Sequence, residues 1–204
     1  DTIKPGDLVV LELSSFQLEL MTTAPAIAAV LNITPNHLDR HGTLEAYTAA
    51  KARILEFQTT DTITVLNRDD SGSWGLSPMV KGKLISFGMR KPTGKFDGTC
   101  LTNRHLEWWS NGQHLEVISV DEIKLRGDHN LTNVLAACAI GLAAGLPIEA
   151  VQAGIRDFRG VAHRLQYVRT INGVDWYNDS IATAPERTSA AVRAFNEPIT
   201  LLLG

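Results

Sequence analysis

Apolar and polar positions along the first third of the chain follow two rhythms. Asp7-Leu-Val-Val-Leu-Glu-Leu13 and Ala28-Ala-Val-Leu-Asn-Ile-Thr34 are nearly continuous apolar runs of strand length, the pattern of strands covered on both faces. Leu44, Tyr47, Lys51, Ile54 and Leu55 instead fall at three-to-four spacing, which predicts a helix over 43–55 with Thr43 as N-cap and Glu45 in the first turn. With a short helix near 15–22, the predicted order from Lys4 to Leu66 is strand 8–13, helix, strand 28–34, helix, strand 62–66. Such alternation implies a parallel sheet with right-handed crossovers.

Between Asp69 and Arg126 the pattern breaks into short β-prone runs separated by turn residues. Ser110-Asn-Gly-Gln113 lies between Leu106-Glu-Trp-Trp109 and His114-Leu-Glu-Val-Ile118, which predicts an antiparallel β-rich insert. Helical signals return with Asp128 or Asn130 as N-cap, Gly145 as the stop and Pro147 opening a second helix that ends near Phe158. Beyond Arg159-Gly160 we expect a hairpin around Asn172-Gly173, a strand through Val174-Asp-Trp-Tyr177, a helix from about Pro185 to Phe195 and a strand Ile199–Leu203. The fold class is therefore α/β: a mostly parallel sheet flanked by helices, an antiparallel β-rich insert, and the start of a second α/β domain. The expected division is 1–160 and 161–204.

Composition narrows the function. With 204 residues, 44% of them hydrophobic and 20% charged, the chain can bury an ordinary core. A net charge of −3 with scattered lysines and arginines argues against nucleic acid as a partner. The longest apolar segment, Val134–Val151, is interrupted by Gly141, Gly145, Pro147 and Glu149, so no membrane insertion is expected. Cys100 and Cys138 offer no disulfide framework and fit a reducing, cytoplasmic setting. The opening at Asp1 and the stop at Gly204 read as the ends of a fragment of a longer chain.

Three ionisable residues stand where apolar elements end or turn inward. Glu12 closes the first apolar run, near the strand end where open α/β sheets bind ligands. His37 follows the second run just after Pro35. Lys51 falls on the apolar stripe of its helix, where an ammonium must snorkel to solvent, find a partner or lose its charge. Asn130 and Asn133, three apart in a first helical turn, suit either a nucleotide base or ribose, or an N-cap plus a solvated amide.

Other candidates carry less. Asn36-His-Leu-Asp-Arg-His41 lacks the H-E-x-x-H spacing and is followed by Gly42, so one of its histidines, not the whole set with Asp39, is a credible ligand. Gly88-Met-Arg-Lys-Pro-Thr-Gly-Lys95 has one residue too many between its glycines for a phosphate loop and leads into Phe96 and β-prone sequence. Ser14 and Ser15 have no adjacent base in sequence, and no G-x-S-x-G elbow is present.

Six motifs together, Glu12-Leu-Ser-Ser-Phe-Gln-Leu-Glu19, Asn32-Ile-Thr-Pro-Asn-His-Leu-Asp-Arg-His41, Ala49-Ala-Lys-Ala-Arg-Ile54, Gly127-Asp-His-Asn-Leu-Thr-Asn133, Ala162-His-Arg164 and Asn178-Asp-Ser180, resemble the Mur ligase family in identity, order and spacing. The form of the first motif is similar to that of the D-glutamate-adding branch. The resemblance implies a central ATPase domain over 1–160, from after its P-loop, and the start of a Rossmann-like amino-acid-binding domain over 161–204. It implies ATP and two magnesium ions, with Glu12 and His37 as metal ligands and Lys51 carbamylated by carbon dioxide into an anion. Asn130, Asn133, Arg164 and Asp179 would contact nucleotide, and Ser14 and Ser15 the substrate.

The implied reaction is phosphoryl transfer from ATP to UDP-N-acetylmuramoyl-L-alanine, then attack of D-glutamate on the acyl phosphate, in a monomeric cytoplasmic enzyme. A P-loop upstream and a D-glutamate pocket downstream are expected, so these residues alone should not turn over. Ile181 stands where many relatives carry lysine. The rivals are another amide ligase of the superfamily such as folylpolyglutamate synthase, a non-catalytic ligase-like binding module, and a metallohydrolase built on His37, Asp39 and His41.

Overall fold

Alternate residues of the central strands feed two different cores, which makes this a three-layer α/β/α structure. The computed structural model describes residues 2–35, 38–183 and 185–203. Its main sheet has six strands in sequence order: β1 (Ile27–Val30), β2 (Ile63–Asn67), β3 (Lys83–Phe87), β4 (Gly98–Thr102), β5 (His105–Ser110) and β6 (Gln113–Ser119). In β2, Val65 packs with Ile85 and Phe87 beneath helices α5 (Asp128–Ala143) and α6 (Ile148–Asp157). Its neighbour Leu66 faces the opposite way, with Ala28, Val30 and Tyr47, Ala52 and Leu55 of α3 (Leu44–Glu56). That alternation explains why β2 reads as a continuous apolar run. Among the described residues no helix is long and apolar enough to cross a membrane.

Of the predicted parallel unit the second and third strands are present, β1 running parallel to β2, and β3 and β4 continue the sheet in parallel. Thr43 caps α3, its hydroxyl accepting the Ala46 N–H at 3.1 Å. The β-rich stretch is not a separate insert. β3 extends the parallel sheet, and only β4, β5 and β6 pair antiparallel, as its far edge. The Asn111-Gly112 turn joins β5 to β6 as expected, while Asn103 and Arg104, at φ 49° and 64°, make an equivalent turn before β5 that carries no Asn-Gly signal.

Two expected strands are absent. Residues 8–13 and 199–203 carry no regular structure, and Val10 is 89% exposed, Leu202 and Leu203 77% each. A ladder needs a neighbour as well as an apolar sequence, and no described strand pairs with either run, so the pattern alone misled. The first short helix is also shorter than expected, α1 (Ser15–Glu19) ending at a Leu20 C-cap. At α5 the N-cap is Gly127, without a side-chain cap bond, rather than Asp128 or Asn130.

The far end of α5 follows the sequence closely. Gly145, at φ +79°, sends its N–H to Leu142 O, and Leu146 sends its own to Gly141 O, a Schellman ending that favours glycine at that left-handed position. After α6, β7 (Gln166–Ile171) and β8 (Val174–Asn178) form a separate two-stranded sheet around Asn172-Gly173, followed by α7 (Pro185–Arg193).

Only ten residues join parallel β3 to β4, shorter than the usual crossover, and they contain no helix. Arg68 holds this connection together. Its guanidinium donates to Gly88 O at 3.0 Å, Arg90 O at 2.6 Å, Thr99 O at 2.8 Å and Ser86 Oγ at 3.2 Å, and lies over the Phe96 ring. Replacing Arg68 with Met keeps the stem but strips those carbonyls of a donor, and is expected to cost about 3 kcal/mol in chemical denaturation. An unchanged denaturation midpoint would show that the carbonyls find other donors.

Candidate functional site

The start of α1 is built by its own sequence. Ser14 is the N-cap: its Oγ accepts the Gln17 N–H at 3.3 Å while Gln17 Oε1 accepts the Ser14 N–H at 2.8 Å, a capping box. Glu12, two residues before it, lies in extended chain, is exposed, and makes no ion pair or hydrogen bond among the described residues. It is thus a free carboxylate, though not at the end of a strand as expected.

Ser15 has the adjacent base that its sequence neighbourhood lacks. Its Oγ is 2.9 Å from Nε2 of His41, the last residue of α2 (Leu38–His41), and Nδ1 of the same ring is 3.5 Å from Glu19 Oε1. Phe16 stacks on His41 at 5.1 Å between centroids and Tyr47 meets it edge-on at 5.3 Å. That base comes from 26 residues away, which is why no adjacent one is visible in the sequence. With its ring engaged there, His41 does not join Asp39 in a ligand set, and no group of three potential metal ligands exists among the described residues. His37 lies outside the described residues.

Lys51 is half-buried on α3, one turn beyond Tyr47, with Nζ 5.3 Å from the Tyr47 ring centroid. Among the described residues no carboxylate lies within ion-pair distance of it. The inward turn of the stripe is therefore real but incomplete: Tyr47 and Leu55 are buried, Leu44 is not.

A polar knot missed in the sequence fixes the chain leaving β1. Asp70 Oδ1 accepts the Ile33 N–H at 3.0 Å and the Ser73 N–H at 2.7 Å. Ser73 Oγ donates to Val30 O, and Asn67 Nδ2 donates to Leu31 O. This pins residues 30–33, just ahead of His37, to the start of α4 (Ser71–Trp74). The Asp70-Ser-Gly-Ser73 N-cap pattern was the legible half of that signal.

The third group of candidates surrounds the beginning of α5. Asn130 is buried, with Nδ2 donating to Arg126 O at 2.7 Å, whereas Asn133 is exposed. The motifs at 162–164 and 178–180 fold onto each other: Asp179 Oδ1 accepts the Leu165 N–H, Asn178 Nδ2 donates to His163 Nδ1, and the Ile181 N–H donates to His163 O. Burial, then the Arg164 charge, lowers the His129 pKa, with Asp179 opposing, so these residues sit within each other's field at the first turn of α5. Arg126 fastens this region further, with Nη1 3.0 and 3.2 Å from the two Glu197 carboxylate oxygens and the guanidinium over the Tyr177 and Phe195 rings. Its role was not legible, because all three partners lie beyond β7. Neither cysteine is a nucleophile: burial pushes the Cys138 thiol up to about 12 and also raises that of Cys100.

Comparison with known proteins identifies the family. A family described as the Mur ligase middle domain matches residues 3–141. The chain is 41% identical over 204 residues to a UDP-N-acetylmuramoylalanine–D-glutamate ligase of Symbiobacterium thermophilum, covering 100% of this chain and 45% of that protein. It is 40% identical over 196 residues to the ligase of the same description from Koribacter versatilis, covering 96% of this chain and 43% of that one. The chain thus spans less than half the length of these relatives. Among solved structures, MurF from Acinetobacter baumannii superposes with a TM-score of 0.66 at 20% identity, over 83% of this chain and 37% of that one. A pseudomurein peptide ligase type C from Methanothermus fervidus gives 0.59 at 15%, over 83% and 40%. At such identities these two speak for the fold alone.

Proposed function

The chain belongs to the Mur ligase family, and we propose that it forms the ATP-handling part of an enzyme that joins D-glutamate to UDP-N-acetylmuramoyl-L-alanine in peptidoglycan precursor synthesis. The observation that carries this reading is the likeness to D-glutamate ligases over the whole of this chain. Residues 1–160 would be the central domain and 161–204 the start of the amino-acid-binding domain, in a monomeric, cytoplasmic protein.

The residues fit a hard dication. Glu12 offers an exposed, unpaired carboxylate, the oxygen donor that magnesium takes. The half-buried Lys51, without a carboxylate partner among the described residues, is suited to become an anion by carbamylation, which needs the neutral amine. Glu12, His37 and the modified Lys51 would hold two magnesium ions, which when bound supply charge neutralisation around the transferring phosphoryl group.

The chain's own work is positioning. Asn130 in the first turn of α5 and Asn133 in its second, with Arg164 and Asp179 held in the field of that helix start, would grip the base and ribose of ATP. Arg126, clamped to Glu197, ties the two nucleotide-contacting regions together. Ser14, exposed at the cap of α1, would face the carboxylate of the nucleotide-linked substrate, and Ser15 would have to leave His41 to join it. The acyl phosphate formed there would then be attacked by the D-glutamate amine.

The test follows phosphate release from ATP and magnesium by the full-length protein given UDP-N-acetylmuramoyl-L-alanine, with and without D-glutamate. Release that requires both substrates is expected. Turnover with a different acceptor instead would move the protein to a sibling ligase, and no turnover at all would leave a binding module.

A further inference from the structure

We infer that His41 is a positioning residue that clamps α1 to the helix carrying Lys51, so that the Glu12–Ser14 segment entering α1 keeps a fixed register with that lysine. The inference rests on the reading of Glu12, Ser14 and Lys51 as site residues given above, in which His41 touches no reacting group.

A five-residue helix cannot hold itself, since helices of a single turn or so are unstable without tertiary support. The orientation of α1 must come from what packs on it, which is α3 directly and, through side-chain contacts, one imidazole. The His41 side chain is 4% exposed. Nε2 meets Ser15 and Nδ1 meets Glu19, four residues apart on α1, so a single ring spans a whole turn of that helix. One neutral tautomer serves both contacts: with the proton on Nδ1 towards Glu19, Nε2 accepts the Ser15 hydroxyl proton. Arg40, the neighbour of His41 on α2, adds its guanidinium 4.4 Å from the Phe16 ring centroid. On its other side the ring meets Tyr47, which in turn lies beneath Lys51 Nζ. Beside the direct packing of α1 on α3, one side-chain path from the start of α1 to Lys51 therefore runs through His41 and Tyr47.

A serine, a histidine and a carboxylate in line also suggest a nucleophile. Ser15 is 4% exposed, however, and in this arrangement its hydroxyl is taken up by His41. Here the three groups act as a brace.

The experiment uses the full-length protein with His41→Ala, His41→Gln and Ser15→Ala, read by amide hydrogen exchange and by kcat and KM. In His41→Ala the amides of α1, including the Leu18 N–H that bonds Ser14 O, are expected to exchange at least about tenfold faster, while those of α5 keep their rates. The kcat is expected to fall about 10- to 100-fold with KM for ATP within about twofold, because displaced site groups slow the reaction more than they weaken a distant nucleotide grip. His41→Gln, whose amide can accept from Ser15 and donate towards Glu19, recovers much of both, and Ser15→Ala falls between. Wild-type exchange in α1, an unchanged kcat, or failure of Gln to rescue would each overturn the clamp. Should wild-type protein not ligate D-glutamate, the functional reading falls separately, and the exchange rates still decide the role of His41.

Discussion

Lys51→Ala in the full-length protein is expected to lower ligation at least about 100-fold, the scale on which loss of a group that orients a metal site reduces activity. Lys51 sits half-buried on α3 above Tyr47, with no carboxylate in reach among the described residues, so it has no structural ion pair to lose. On the reading proposed here what disappears is an anion, the carbamate. Added short carboxylic acids should therefore return part of the activity to Lys51→Ala, whereas amines should not. Steady-state phosphate release in the presence and absence of such acids checks this. A Lys51→Ala protein as active as wild type would remove the carbamate from the mechanism. Stability should change little, because no ion pair among the described residues is lost with the side chain.

Gly98→Ala is expected to have the largest effect on folding. Gly98 opens β4 at φ +144°, and an added Cβ would lie 1.7 Å from Ser86 O and 2.7 Å from Ser86 C. Both are backbone atoms of the strand alongside, and Ser86–Gly98 is one of only two register pairs joining β3 to β4. The clash cannot be relieved by turning a side chain. The strands must part, which separates the parallel half of the sheet from the antiparallel edge and uncovers the core beneath α5. A loss of about 4 kcal/mol or more follows, at the extreme of single substitutions. Denaturation or the yield of folded protein measures it, with Gly154→Ala on α6 as a control, since nothing lies within 4 Å of a Cβ there and its φ is not positive. A Gly98→Ala protein with wild-type stability would mean that the sheet tolerates a break at β3–β4.

What could be read along the chain was the local chemistry. The helical stripe from Thr43, its cap, the Asn111 and Asn172 turns and the ending at Gly145 each depend on a few neighbouring residues, and each is found where the pattern put it. Family motifs were legible for the same reason, being contiguous runs of chemically particular residues. Less legible was anything that needed a second partner. The apolar runs 8–13 and 199–203 have the composition of buried strands, but a strand is a relation between two segments, and here they lie exposed.

The sequence by itself determined the α/β class, the cap of α3, the turns at Asn111 and Asn172, the ending at Gly145, and which side chains have chemistry to offer. Tertiary structure decided which of these meet. It set His41 against Ser15 and Glu19, hung residues 30–33 on Asp70 and Ser73, passed the Arg68 guanidinium through the β3–β4 connection, and tied Arg126 to Glu197. Each of these contacts joins residues between 18 and 71 positions apart. Periodicity and capping act over one or two turns of chain, whereas such contacts are selected only when the sheet and its two cores have brought the segments together.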